Sequence, residues 1–255
     1  MQCQGTLTRF GAALLFIFVL PQISHGQSAD TVGVVQRLQG HVSIVQSGIS
    51  VDALEGMAIS LKDRLVTRAD ARLQIMLTDD TQITLGEKAE AVIMQYQFNP
   101  FVSGEKGMVV VEVSKGAFLL TTGRISQLTD KRIEVKTALA DLTTAGAEFW
   151  AGPTGGDLEG VAVFEGSVQV SNEGGAVVVS TKGVTQSRVQ TQTQALGLRS
   201  RSSTDPIGTT LTRGRGPSQA IIWPQEKTDR AVDSVTFDSE IARNFIPNSG
   251  NRSAP

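Results

Sequence analysis

The sequence predicts an all-β body, and three observations carry that expectation. Short aliphatic runs alternate with polar residues at period two. Glycine is abundant, at 26 of 255 residues, while aromatic residues make up only 5%. No stretch from about residue 31 to residue 189 keeps a helical period over about three turns. The expected form is many short strands in a twisted sheet, sandwich-like or an irregular solenoid-like body. A 40% hydrophobic content supports a real core and excludes global disorder. The net charge of -2 leaves no strong basic field, so nucleic acid is not an expected partner.

The first segment reads as an address. Arg9 precedes an uncharged apolar run that reaches Leu20 and stops at Pro21. Ser24-His25-Gly26 then offers small residues at the -3 and -1 positions of a cleavage site. The run is well short of the roughly 20 residues a spanning helix needs, which suits a signal peptide over 1–26. An uncleaved anchor is the competing reading. Removing 1–26 also removes Cys3 and His25, so the remaining chain holds no cysteine and His41 as its one histidine. No disulfide framework is expected. The expected location is periplasmic or secreted, with no transmembrane helix after cleavage.

The body, expected over 27–198, reads as a succession of strands. Val32–Leu38, His41–Gln46, Arg72–Leu77, Thr81–Leu85 and Ala91–Phe98 come first. Met108–Val113, Ala117–Thr121, Arg132–Thr137, Gly160–Phe164, Ser167–Val170 and Ala176–Ser180 follow. Leu73, Ile75 and Leu77 share one strand face, as do Val161 and Val163, then Val168 and Val170. Val35, Val111 and Val161 each stand five residues before a glycine (Gly40, Gly116, Gly166) that opens another extended run. Glycine there supplies a tight turn or bulge. The irregular spacing of these three pairs argues against a short-period solenoid.

From 199 to 255 the sequence turns weakly basic and rich in Ser, Gly and Pro, as in Arg213-Gly-Arg-Gly-Pro217. A turn-rich, disordered tail is expected there. Within it Ile221, Ile222 and Trp223 are the candidate partner-binding residues, and Val232–Phe245 is a candidate short helix.

The body resembles the FecR domain, an extracytoplasmic all-β module known from ferric-citrate-type signalling regulators. Three stretches of the first half carry the likeness: Gly40-His-Val-Ser-Ile44, Lys62-Asp-Arg-Leu-Val-Thr67 and Leu77-Thr-Asp-Asp-Thr-Gln-Ile-Thr-Leu85. Gly116 to Leu120, Val135-Lys-Thr-Ala138, Gly146-Ala-Glu-Phe149 and Glu165-Gly-Ser-Val-Gln-Val170 carry the second half. The likeness covers roughly 31–190. Lys62 and Asp80 stand where the family pattern has glycine, and Ala138 and Ala147 replace its proline and threonine. The short stretch ahead of the apolar run leads us to expect no cytosolic anti-sigma segment, so sigma-factor regulation is not carried over.

Candidate chemistry is thin. Asp79, Asp80, Glu87 and Glu90 lack the dense ligand alternation of a calcium loop, so a turn is expected and no metal. No G-x-S-x-G elbow accompanies His41, and Gly152–Asp157 lacks the Walker lysine. Phe149-Trp150 suits a core better than a ligand platform. No cofactor and no catalytic residue are expected. The reading is a non-enzymatic binding or scaffold module of the bacterial cell envelope, acting through sheet edges and loops on a protein or glycan. The alternatives are a ligand- or siderophore-related sensing module and a hydrolase using carboxylates such as Asp79, Asp80 and Glu148.

Overall fold

The computed structural model describes residues 31–99, 106–156, 158–181 and 206–238. The expected signal peptide over 1–26 therefore lies outside the described residues. β1 (Thr31–Gln39), β2 (Val42–Gln46), β3 (Ile49–Asp52), β4 (Ala58–Ser60) and β5 (Arg64–Thr67) come first. β6 (Arg72–Leu77), β7 (Gln82–Leu85), β8 (Glu90–Gln97), β9 (Gly107–Lys115) and β10 (Phe118–Thr121) follow. A 3-10 turn at Arg124–Gln127 leads into β11 (Lys131–Thr137), β12 (Asp141–Gly155), β13 (Leu158–Asn172) and β14 (Gly175–Ser180). β15 (Ile207–Thr212), β16 (Ile221–Ile222) and the helix α1 (Gln225–Asp233) complete the order. The fold is all-β, a curled mixed sheet of many short strands.

The sheet runs β3-β2-β5-β8-β9-β11-β12-β10-β7-β6-β1-β4, with β13 on the far side of β12. β9 and β11 pair in parallel, whereas the other described pairs are antiparallel. The two ends of this path, β3 and β4, are joined by the short segment 53–57, so the sheet must roll up on itself. One core fills the roll. Ile44, Leu73, Leu85, Leu120, Phe149 and Val168 are all fully buried in it, and Phe118 meets Phe149 edge-on at 5.9 Å.

The long hairpin β12–β13 folds double. Thr137, beside the start of β12, donates a hydrogen bond to Glu159 near the hairpin tip at 3.2 Å. A straight hairpin would hold those points roughly 40 Å apart at about 3.3 Å per residue. The bend falls at Gly166, whose φ is +85° and whose missing side chain lets the Gly146 carbonyl approach. An added Cβ there would lie 2.3 Å from that oxygen. The sequence predicts two strands broken by a turn at this point, and the glycine bends one continuous strand instead. All three glycines of the repeated pattern, Gly40, Gly116 and Gly166, have positive φ.

Two short strands (β3, β4) and most of β12 were not expected from the sequence. β12 contains Gly146, Gly152 and Pro153, which break its alternation, and its pairing to three other strands overrides them.

Part of the tail also departs from expectation. Residues 206–238 are not a turn-rich, disordered extension: β15 pairs with β13, and α1 packs on β12. Leu211, Trp223, Ala231, Val235 and Phe237 are buried. Their spacing fits neither a helical nor a strand period, so no local pattern announces their burial. A helix lies at 225–233, and 234–237, where the strap continues beyond it, are not helical. The rest of the candidate helix Val232–Phe245 falls almost wholly outside the described residues. Residues 199–205 and 239–255 lie outside the described residues.

Two turn positions that depart from the family pattern stand in left-handed backbone, Lys62 at φ +69° and Asp80 at φ +65°. That conformation costs an L-residue about 1–2 kcal/mol, while glycine loses about 0.5–1 kcal/mol in unfolded-state freedom. Lys62→Gly is therefore expected to raise the melting temperature by about 2–4 °C. A thermal melt followed by circular dichroism checks it, and an unchanged or lower midpoint would contradict the strain argument.

Candidate functional site

The carboxylates singled out in the sequence take different fates. Asp79 is fully buried and closes a junction of three elements. Thr81 Oγ1 donates to its Oδ2 at 2.6 Å, Tyr96 Oη to its Oδ1 at 3.0 Å, and the Ile125 amide to its Oδ2 at 3.3 Å. The Gly123 amide then donates to Thr81 Oγ1 at 2.9 Å. The β6–β7 turn, the end of β8 and the 3-10 turn are thus tied to one side chain. Burial pushes the Tyr96 phenol up. Asp80 turns outward and pairs with Arg124 at 2.8 Å. A carboxylate whose oxygens already accept internal donors is poorly placed to handle a substrate proton, so the pair is structural.

His41 is exposed and lies 3.9 Å from the likewise exposed Asp52 on the surface. Glu87 accepts the Asp70 amide, which holds its carboxyl below the usual range. Glu90 bridges Arg64 and Lys115. Phe149 and Trp150 are buried, as the core reading expects. No group of three metal-ligating side chains occurs among the described residues.

What the fold presents instead is sheet edge. β15 has its outer edge covered by the chain itself: Ile207 pairs with Ile222 and Gly208 with Ile221. Ser218 extends the cover, donating its amide to Thr210 O at 3.0 Å and accepting the Thr210 amide on its hydroxyl at 2.9 Å. β14 is different. Among the described strands it pairs with β13 alone. Its sequence, Gly-Ala-Val-Val-Val-Ser, holds no charge and no proline, and Val178 is 60% exposed. β3, β4 and β16, the other strands with one partner, are shorter.

The three candidate residues of the tail separate. Ile221 and Ile222 are exposed on β16, at 57% and 61%, whereas Trp223 is buried. Trp223 lies in a notch made by two glycines: a Cβ on Gly208 would lie 2.1 Å from its Nε1, and one on Gly160 2.7 Å from its ring. Lys227 sits 3.8 Å over the same ring, and Trp150 meets it edge-on at 5.9 Å. Burial pulls the Lys227 ammonium down. From this anchor the strap crosses the outer face of the sheet. Trp150 Nε1 donates to Ser234 Oγ at 3.0 Å, Arg37 lies 4.1 Å over the Phe237 ring, and Gln39 exchanges two hydrogen bonds with Asp238. Under the strap a groove remains, with Glu148 on its wall.

Compared with known families, the chain matches the family described as FecR protein over residues 63–169. The matched segment is similar to a FecR domain. It runs from Asp63, which accepts hydrogen bonds from Gln46 and from the Ser60 amide, to Gln169 on β13. The Asp79 junction and all but the last three residues of the double-folded hairpin lie inside the matched segment, while β14 and the strap follow it. Two crystal structures of anti-sigma factor candidates from Parabacteroides distasonis match parts of this chain. One is 15% identical with a TM-score of 0.44, covering 65% of this chain and 62% of its own. The other is 16% identical with a TM-score of 0.44, covering 71% of this chain and 74% of its own. No curated protein matches the sequence. Among the described residues no helix is long and apolar enough to cross a membrane.

Sequence reasoning missed the strap and the groove beneath it. The spacing Trp223, Ala231, Val235, Phe237 was the only available signal, and it fits no single period.

Proposed function

We propose that this FecR-domain protein is a non-enzymatic regulatory module of the bacterial cell envelope, periplasmic or secreted, that recognises an extended polypeptide by strand addition at β14. One observation carries the reading: the longest strand with a single described partner is uncharged, apolar and without proline. Natural edges are normally blunted by lysine, proline or a covering segment. Here the chain covers β15 with Ser218–Ile222, and among the described residues no such device covers β14. Backbone hydrogen bonds to an added strand supply affinity, and the alternate side chains Ala176 and Val178 supply selectivity. The FecR match supports regulation over catalysis. A protein partner fits an edge of backbone donors better than a glycan does, since the exposed β14 side chains offer no hydroxyl-binding polar groups.

A photo-crosslinking amino acid placed at Val178, and at the face residue Met94 as control, tests this in the native host. The expected result is a discrete adduct from position 178 that Ala176→Lys diminishes. Equal adducts from both positions, or none from 178, would remove the strand-addition reading.

A further inference from the structure

The groove under the strap holds a chemical imbalance. Glu148 on β12 and Glu165 on β13 stand directly opposite each other as cross-strand partners. Like charges in that relation repel. Neither carboxylate has a hydrogen-bond donor or a cationic partner among the described residues. The cations of the strap are committed elsewhere: Lys227 to Trp223 and Thr210, Arg230 to Glu226. Burial, and then the Glu165 charge, hold the Glu148 carboxyl above the usual range.

Around Glu148 the walls are of two kinds. Trp150, Leu119 and Phe164 from the sheet and Val235 and Phe237 from the strap are apolar, while Gln74, Thr84 and Thr236 add neutral hydrogen-bonding groups. The cavity measures about 210 Å³. Small-molecule sites usually run to about 300–1,000 Å³, so this one suits a single side chain or a small amine and is too small for a chelated metal complex.

We propose that this groove is a binding site for a guanidinium or ammonium group carried on an aliphatic stem. The cation places its charge between Glu148 and Glu165 and relieves their repulsion. Its methylenes lie along Leu119, Phe164 and Val235, as lysine and arginine stems do on apolar surfaces. The nearby rings of Phe164 and Trp150 favour a cation over a neutral head. The stem's source is either a free small amine or a basic side chain of a bound protein. This site is independent of β14, and its test involves no strand partner.

Protonation of Glu148 removes the attraction. Glu165 stands opposite it across the strand, and the Arg37 guanidinium on β1 lies over the Phe237 ring of the groove wall. The lining residues from the strap and from β6, β7 and β10 are neutral. A carboxyl with a raised pKa ionises later as pH rises, so affinity is present at neutral pH and lost as pH falls through that raised value.

Calorimetric titration of the full chain with agmatine, with N-acetylarginine amide and with neutral N-acetylnorleucine amide tests the proposal. Dissociation constants of about 1 mM are expected for at least one cation and no saturation by the neutral compound. Binding of agmatine alone identifies a free amine; binding of the capped arginine identifies a side chain. Glu148→Gln is expected to weaken binding about tenfold and Glu165→Gln about threefold. Val232→Trp, which fills the groove from the exposed side of the strap, is expected to abolish it. Acidification from about pH 7.5 to about pH 5 is expected to weaken binding to wild type and leave residual binding to Glu148→Gln unchanged. Absence of saturation by either cation, equal binding of the neutral analogue, or undiminished binding to Glu148→Gln and Val232→Trp would each overturn the proposal.

Discussion

Asp79→Ala is expected to cost about 3–5 kcal/mol, a large part of the roughly 5–15 kcal/mol that holds a domain folded. The substitution removes one carboxylate and strands several donors at once. Thr81 Oγ1, Tyr96 Oη and the Ile125 amide all lose their acceptor. The Ile125 amide and Thr81 are buried, so water does not replace what is lost. Tyr96→Phe removes a single donor and is expected to cost only about 1 kcal/mol. Urea denaturation of the three proteins, with tryptophan fluorescence as the signal, measures both. A loss below about 1 kcal/mol for Asp79→Ala would show that the junction is replaceable, and would reopen a chemical role for that carboxylate.

Gly208→Val is expected to release the strap while the body stays folded. A Cβ at this position collides with Trp223 Nε1 at 2.1 Å and with the Val161 carbonyl at 2.6 Å. The backbone carbonyl cannot yield, so the tryptophan must leave its notch. Losing a buried tryptophan costs about 3–5 kcal/mol, and only the strap depends on this one directly. Hydrogen exchange followed by mass spectrometry separates the two regions. Amides of 221–238 are expected to exchange far faster, with those of β6, β7 and β10 still protected. Uniform loss of protection would mean that strap and body unfold as one unit.

The strands that alternate strictly were legible, and the residues that close the fold were not. β6 alternates Leu73, Ile75 and Leu77 inward and was read to the residue. Lys62 and Asp80 were readable as turn positions because the chain departs there from a glycine pattern, and both indeed take positive φ. β12 was not legible, since its glycines and Pro153 are tolerated only through pairing with strands distant in sequence. Trp223 was noticed as part of an apolar cluster. Its burial was hidden, because the notch that receives it is made of absent side chains at Gly160 and Gly208. Glu148 was read only as one carboxylate among several. What sets it apart is its neighbour across the strand, and no linear spacing shows that Glu165 lies opposite.

The placement of the strap also sets an order in time. The sheet face carrying Leu119, Trp150 and Phe164 is complete once β13 has been made, but the segment that covers it is synthesised after that strand. A growing chain therefore passes through a stage in which the rolled sheet has formed and its outer face is bare. Such a stage invites association with other nascent chains. The seating of one tryptophan in its notch is then what closes that face.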